Sequence, residues 1–318
     1  MKKFFFIVLQ ICNVFLAVAQ EDPQISQYMF NQMTVNPGYT GSEDGICASA
    51  WDREDYVGVP GAKNVTVLGV SSSVKPFGIS SGVGINVAND RIGFNNDKSA
   101  NISYAYRMDL GSGKLGIGIN AGVINNAIDP TWRTISSDGS SILNGKGNDP
   151  SIPDKENIYA LDMSAGLFYK TEDLYLGLSC THLNKPKLTY QGTSVNPSYV
   201  NRHFYLMSGY TIQLPNPALQ LIPSFCVHTD TKVAQVTLNT NLVYNKRFWG
   251  GISFRPGDAV VGIVGLELLN GIRLGYSYDF VISDISKTTS GGHEFMVSYC
   301  FKINKEKIPQ RYKSIRFL

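Results

Sequence analysis

The residues best able to move a proton or hold a metal are four histidines: His182, His203, His228 and His293. An ester-cleaving site would need a nucleophile and a base held together at one depth of the structure. Around His293 the sequence alternates. His293, Phe295, Val297, Tyr299 and Phe301 share one parity, while Glu294, Met296, Ser298 and Cys300 share the other. Successive side chains of a strand point to opposite faces, so Ser298 and His293 cannot meet. His-Glu-x-x-His does not occur. Cys47, Cys180, Cys226 and Cys300 show no Cys-x-x-Cys or Cys/His metal spacing. Asp90 with Asn95-Asn96-Asp97 has the oxygen chemistry of a calcium loop, but the same residues make ordinary turns, and the turn is the simpler reading. Gly82-Val83-Gly84 and Gly116-Ile117-Gly118 look like fragments of a phosphate-binding loop. Within alternating strands they read instead as small inward residues that let the interior pack. The expectation is a protein with no catalytic site, no cofactor and no metal.

The elements that carry these residues are strands. Charged residues are only 17% of the chain, against 31 Gly, 17 Tyr and 16 Phe, and the formal net charge is +3. About a quarter charged is usual for soluble domains. After residue 20 no apolar run approaches the ~18 residues a membrane-spanning helix needs. A transmembrane barrel fits both facts, because alternation dilutes its apolar residues. The N-terminus reads as a cleaved secretory signal, residues 1–19. Lys2 and Lys3 form the basic region, Phe4 to Leu16 the apolar core and Ala17-Val18-Ala19 the cleavage site. Cys12 lies inside the apolar core, which argues against a lipoprotein signal.

Fourteen strands are expected: 46–53, 64–73, 80–90, 98–109, 114–124, 157–170, 173–182, 202–213, 217–228, 233–245, 248–255, 258–268, 271–282 and 292–302. Several have the ~10 residues of a tilted bilayer-crossing strand. Even-numbered connections are tight and rich in turn residues, such as Gly111-Ser112-Gly113, Pro215-Asn216-Pro217 and Asn270-Gly271. The long loops, Glu54–Lys63, Asn125–Glu156, Leu183–Asn201 and Ser283–Gly291, are all odd-numbered. Thr229–Lys232 and Pro256-Gly257 are short odd connections that weaken the sorting. Outer-membrane barrels have short periplasmic turns and longer outer loops. The expected fold is therefore all-β: a transmembrane antiparallel β-barrel of about fourteen strands, with both termini in the periplasm. Residues 20–45 are expected as a periplasmic N-terminal segment, 46–302 as the barrel and 303–318 as a basic periplasmic tail. From Lys302 to Leu318, Lys302, Lys305, Lys307, Arg311, Lys313 and Arg316 face a single acid, Glu306. Such a tail docks a periplasmic protein or is simply solvated; nucleic acid is not an expected partner. Cys47 and Cys300 fall on the first and last strands, which are neighbours in a closed barrel. A disulfide is possible in an oxidising compartment, but with the register unknown the simpler expectation is two unpaired wall residues.

Particular motifs then resemble a known family. Asp22-Pro23-Gln24-Ile25-Ser26-Gln27-Tyr28-Met29-Phe30-Asn31, followed by Asn36-Pro37-Gly38-Tyr39-Thr40-Gly41, is similar to the mature N-terminus of the PorP/SprF outer-membrane proteins of Bacteroidetes type IX secretion and gliding machinery. The likeness continues through Gly82–Gly93, Leu174–Pro186, Arg202–Tyr205, Trp249–Arg255, Gly275–Asp279, Gly292–Glu294 and the terminal Arg316-Phe317-Leu318. Two regions depart from it: Trp51–Tyr56 stands where the family often has an Arg-Gln-Trp-like run, and the Asn125–Glu156 loop is particular to this chain. The resemblance implies a non-enzymatic barrel that binds or anchors secreted surface proteins carrying C-terminal sorting domains and contacts periplasmic machinery subunits, with outer-membrane lipid around it. On that reading the outer loops hold the client. Asp22, Pro23, Gln24, Ser26, Gln27, Tyr28, Asn36, Pro37, Arg311, Lys313 and Arg316 are the expected partner-binding residues. Two other functions compete. Inward faces rich in Gly, Ser and Asn would suit a passive diffusion channel, and an outer-membrane lipid hydrolase would have to use His182 or His228.

Overall fold

Period-two alternation becomes long strands in the computed structural model, which describes residues 22, 24–43, 45–128, 133–135, 142–144, 155–190, 198–269 and 271–301. Fourteen strands form the wall. They are β1 (Ile46–Glu54), β2 (Asn64–Val74), β3 (Ser81–Ile92), β4 (Asn95–Leu110), β5 (Gly113–Ile128), β6 (Glu156–Lys170), β7 (Leu174–Thr181), β8 (His203–Tyr210), β9 (Leu219–Thr229), β10 (Ala234–Tyr244), β11 (Phe248–Arg255), β12 (Ala259–Glu267), β13 (Ile272–Val281) and β14 (Gly292–Phe301). Each pairs antiparallel with its sequence neighbours, and β1 pairs with β14 to close the barrel. A short extra strand, Ile212–Gln213, continues the line of β8 along β9.

The burial pattern is that of a barrel in lipid, inverted from a soluble core. On β6, Leu161 is 72% and Met163 53% exposed on the outside, whereas Asp162 and Ser164 are each 4% exposed inside. The same holds on β5, where Ile117 and Ile119 face outward and Gly116 and Gly118 face inward. A hydrocarbon solvent rewards an apolar outer face, and the interior is left to polar and small side chains.

The connections sort by end, as expected. One end carries the tight connections 75–80, 111–112, 171–173, 211–218, 245–247 and 268–271. The other carries 55–63, 129–155, 182–202 and 282–291. It also carries three short ones, at 93–94, 230–233 and 256–258, so the sorting is incomplete at the long-loop end. Most of the Asn125–Glu156 loop, and residues 191–197 of the Leu183–Asn201 loop, lie outside the described residues.

Two expectations are corrected. Residues 22 and 24–43 do not stand outside the wall as a periplasmic segment. They run down the lumen as a chain of single turns, Tyr28–Phe30, Gln32–Val35 and Pro37–Tyr39, from the long-loop end to the short-turn end, where the chain enters β1. Polar, turn-rich sequence suits this place because the barrel interior is itself polar. Secondly, Cys47 and Cys300 are not unpaired wall residues. The register places them directly opposite, with Cα atoms 4.0 Å apart, and they form a disulfide across the β1–β14 seam.

Candidate functional site

The lumen contains the richest chemistry among the described residues, and its purpose is to seat the N-terminal segment. Near the long-loop end, four inward-facing charged side chains of neighbouring strands converge: Arg53 of β1, Arg255 of β11, Asp279 of β13 and Glu294 of β14, all almost fully buried. Arg53 Nη2 lies 2.7 Å from Asp279 and Arg53 Nη1 3.1 Å from Glu294; Arg255 pairs with Asp279, and with Asp258 at 2.7 Å. Buried charges are tolerated only when paired and fully hydrogen-bonded. The segment completes this group. Ser26 and Gln27 donate consecutive backbone N–H groups to the two Glu294 oxygens at 2.7 and 2.9 Å. The Ser26 hydroxyl accepts from Arg53 Nη1 at 2.6 Å and Arg255 Nη1 at 2.9 Å, and donates to Asp279 at 2.9 Å. The Gln27 carboxamide fills the space left by Gly275, where a Cβ would come within 2.3 Å of its oxygen.

Closer to the loops sits a second group, built around Asp22. Its carboxylate accepts from Thr181 at 2.9 Å and from the Tyr205 hydroxyl at 2.7 Å, and lies 2.7 Å from His182 Nε2. The other nitrogen of His182 meets Asp162 at 2.8 Å. His203 and His228 face each other at 2.5 Å, and the Tyr205 ring stacks on His228 at 4.5 Å. Burial alone would raise the pKa of Asp22, but His182 beside it, with His203 and His228 behind, holds it well below the usual carboxylate range. Burial alone would lower that of His182; the charge of Asp22 and the hydrogen bonds to Asp162 and Asp22 outweigh it and bring it to about 10. The outer end of the segment is therefore fastened by an ion pair with a hydrogen-bonded surround.

Further down, packing replaces charge. Gln24 Nε2 donates to Gln235 at 2.7 Å, and the Tyr28 hydroxyl meets Ser224 Oγ at 2.9 Å. Phe30 packs on Trp249 with ring centres 5.3 Å apart, and Tyr39 meets Phe168 edge-on at 5.1 Å. Asn36 donates to Leu167 O at 3.0 Å and its own oxygen accepts from Gly38 N at 2.9 Å. Here the backbone of Pro37 and Gly38 lies directly on the wall. A Cβ on Gly118 would sit 2.2 Å from the Pro37 carbonyl carbon, and one on Gly116 2.2 Å from Gly38 O. Gly82 makes the same close approach to Thr40. These are the glycines read from sequence as small lumen residues. At the short-turn end Lys170 Nζ reaches Glu43 at 2.6 Å.

Of the residues expected to bind partners, Asp22, Gln24, Ser26, Gln27, Tyr28, Asn36 and Pro37 are inside the lumen, in contact with the wall of their own barrel. Pro23, Arg311, Lys313 and Arg316 lie outside the described residues. Three of the four histidines converge; His293 instead faces outward and meets the Tyr276 hydroxyl at 2.8 Å, away from inward-facing Ser298. In the turn whose residues also have calcium-loop chemistry, Asp90 pairs with Lys63 at 3.0 Å and the Asp97 carboxylate accepts from Asn126. Sequence reasoning missed Arg53, Arg255, Asp279 and Asp162 as parts of the site. Their signal was available in strand parity, since each is a charged residue on an inward face.

A family model described as the type IX secretion system membrane protein PorP/SprF matches residues 17–299. Among curated proteins none matches the sequence. Among solved structures the barrel is similar to a FadL homologue of Pseudomonas aeruginosa, with 11% identity, coverage of 87% of this chain and 94% of that one, and a TM-score of 0.50. It is also similar to Omp33 of Acinetobacter baumannii, with 9% identity, 82% and 100% coverage and a TM-score of 0.47. The translocator domain of the autotransporter NalP from Neisseria meningitidis shows 14% identity, 87% and 96% coverage and a TM-score of 0.44. At such identities the likeness concerns the fold alone.

Proposed function

The chain belongs to the PorP/SprF family of type IX secretion system membrane proteins, and on that premise we propose that it is a non-enzymatic outer-membrane component that binds or anchors secreted surface proteins. In this reading the long-loop end faces outward and holds the exported client, chiefly through the loops around 125–156 and 183–201. The short-turn end faces the periplasm and docks machinery subunits, with the basic tail carrying Arg311, Lys313 and Arg316 as the cationic element. Residues 22–37 contribute by plugging the barrel rather than by reaching out of it.

The observation that carries this reading is the filled lumen. A passive channel needs an open path, whereas here the protein's own chain occupies the interior and is fastened at both ends by ion pairs. Binding at the two rims is then the function left to the barrel. A chromosomal deletion tests it, with secretion and surface display of sorting-domain proteins measured by surface proteolysis and mass spectrometry. At least one such protein is expected to be lost from the surface, and a copy lacking residues 136–150 is expected to restore the barrel but not the display. Normal display of every such protein in the deletion strain would overturn the proposal. Silent planar-bilayer recordings are expected for the purified barrel; steady ohmic conductance would favour the diffusion channel instead.

A further inference from the structure

The histidine-rich group at the long-loop end contains more ligating atoms than the seating of Asp22 requires. Asp22, His203 and His228 are 8%, 1% and 9% exposed. They come from three separate parts of the chain: the luminal segment, β8 and β9. One ligating atom from each lies within 4.8 Å of the other two. His203 Nδ1 and His228 Nε2 point at each other at 2.5 Å, and the remaining nitrogen of His203 is buried without a hydrogen-bond partner. His203 thus has one nitrogen paired with His228 alone and one with no partner. The Asp22 carboxylate offers about four lone-pair directions. Thr181, Tyr205 and His182 occupy three of them, which leaves one.

The surroundings are those of a supported site. His182 has both ring nitrogens engaged by carboxylates, so it is not itself available as a ligand. It fixes the orientation of Asp22 from behind, the role outer-layer hydrogen bonds play around metal ligands. The stacked Tyr205 ring fixes the plane of His228. Asp22 and His182 also line a cavity of about 230 Å³ shared with Asp90, Asp97, Asn126 and Tyr190, which supplies a route from the loops.

We propose that Asp22, His203 and His228 form a binding site for a divalent transition ion of the zinc class, with the fourth position open to water from the mouth cavity. Two imidazoles and one carboxylate are a donor set that suits such a borderline ion. Two nitrogens on a tetrahedral ion with bonds of 2.0–2.1 Å lie ~3.3 Å apart, so the two imidazoles need to part by less than about 1 Å. The ion would tie the outer end of the luminal segment to β8 and β9, adding a coordinate link where the structure shows hydrogen bonds and an ion pair.

The test uses untagged full-length protein in detergent, stripped with a chelator and titrated with zinc chloride, then with cobalt chloride as a spectroscopic probe. One zinc per chain is expected by calorimetry and elemental analysis. Cobalt is expected to give the visible bands of a four-coordinate N/O site, without the near-ultraviolet thiolate band that binding at Cys180 or Cys226 would produce. His203→Ala and Asp22→Asn should each abolish binding. His293→Ala, on the outer face, should leave it unchanged, and His182→Gln, which removes the support behind Asp22, should weaken it about 10- to 100-fold. Fold is checked for every variant by its heat-modifiable gel mobility. Should His203→Ala unfold, His228→Gln takes its place. Absence of stoichiometric zinc binding, or binding that survives both histidine substitutions in a folded barrel, would overturn the proposal.

Discussion

Replacing Ser26 with Ala should unseat the luminal segment without touching the wall. The serine is completely buried, and its hydroxyl makes three hydrogen bonds to charged groups: two accepted from Arg53 and Arg255 and one donated to Asp279. Alanine deletes all three and adds no bulk, and the two backbone N–H bonds to Glu294 remain. A hydrogen bond to a charged partner contributes about 1.5–3 kcal/mol, and a buried donor left short of its acceptor costs about 1–3 kcal/mol. The three bonds share one oxygen and are not additive. Arg53 also keeps Glu294, Asp279 and Asp55 as partners. The net loss is therefore about 2–4 kcal/mol. At 1.4 kcal/mol per decade this raises the unseated population roughly 30- to 700-fold.

The protein carries its own reporter. Cys226 faces the lumen, half-buried in a small cavity bounded by Ile25, Tyr28 and Val35 of the segment, so lifting the segment opens it to a thiol reagent. Cys180 alternates with the inward Ser179 and Thr181 and so faces outward; replacing it with Ala removes the background. Cys47 and Cys300 stay oxidised. When reclosing is faster than labelling, the labelling rate follows the open population. In that background Ser26→Ala should label tens to hundreds of times faster, with unchanged gel mobility. A rate within twofold of the parent would refute the view that this clamp seats the segment.

Two further outcomes follow from the same geometry. Gly118→Val should lift the Pro37 region by direct collision with its backbone, at about 1–3 kcal/mol or more, and accelerate Cys226 labelling. Gly262→Ala, whose Cβ would meet nothing nearer than the Phe280 ring at 3.9 Å, should not. Removing the seam disulfide with Cys47→Ala and Cys300→Ala should destabilise the barrel by about 5 kcal/mol at most, because the bridge closes a separation of 253 residues. The temperature at which gel mobility shifts is expected to fall in the double variant; an unchanged temperature would show that the seam holds without the bridge.

The wall was legible because lipid enforces one rule on every strand. The expected strands 98–109 and 157–170 became Asn95–Leu110 and Glu156–Lys170, differing only at their ends. Loop parity was legible for the same reason, since antiparallel closure puts alternate connections at one end. The luminal segment was not, because hydrophobicity sorts inside from outside only when the inside is apolar. Asp22, Ser26, Gln27 and Asn36 look like solvated residues, yet each finds its partners on the inner face of the barrel.

The remaining gap, the register of the seam, could have been closed by charge. Arg53 and Glu294 have inward parity on the first and last strands, and neither can be buried in a barrel without a partner. In an unbulged antiparallel ladder the numbers of opposed residues have a constant sum. Pairing Arg53 with Glu294 therefore places Cys47 opposite Cys300, as the structure has it. The inward charges that looked like a local departure in Trp51–Tyr56 are thus what specifies the seam. They also leave a Glu294 carboxylate with two oxygens aimed into the lumen, a receptor for consecutive backbone N–H groups that only a chain passing through the barrel can supply.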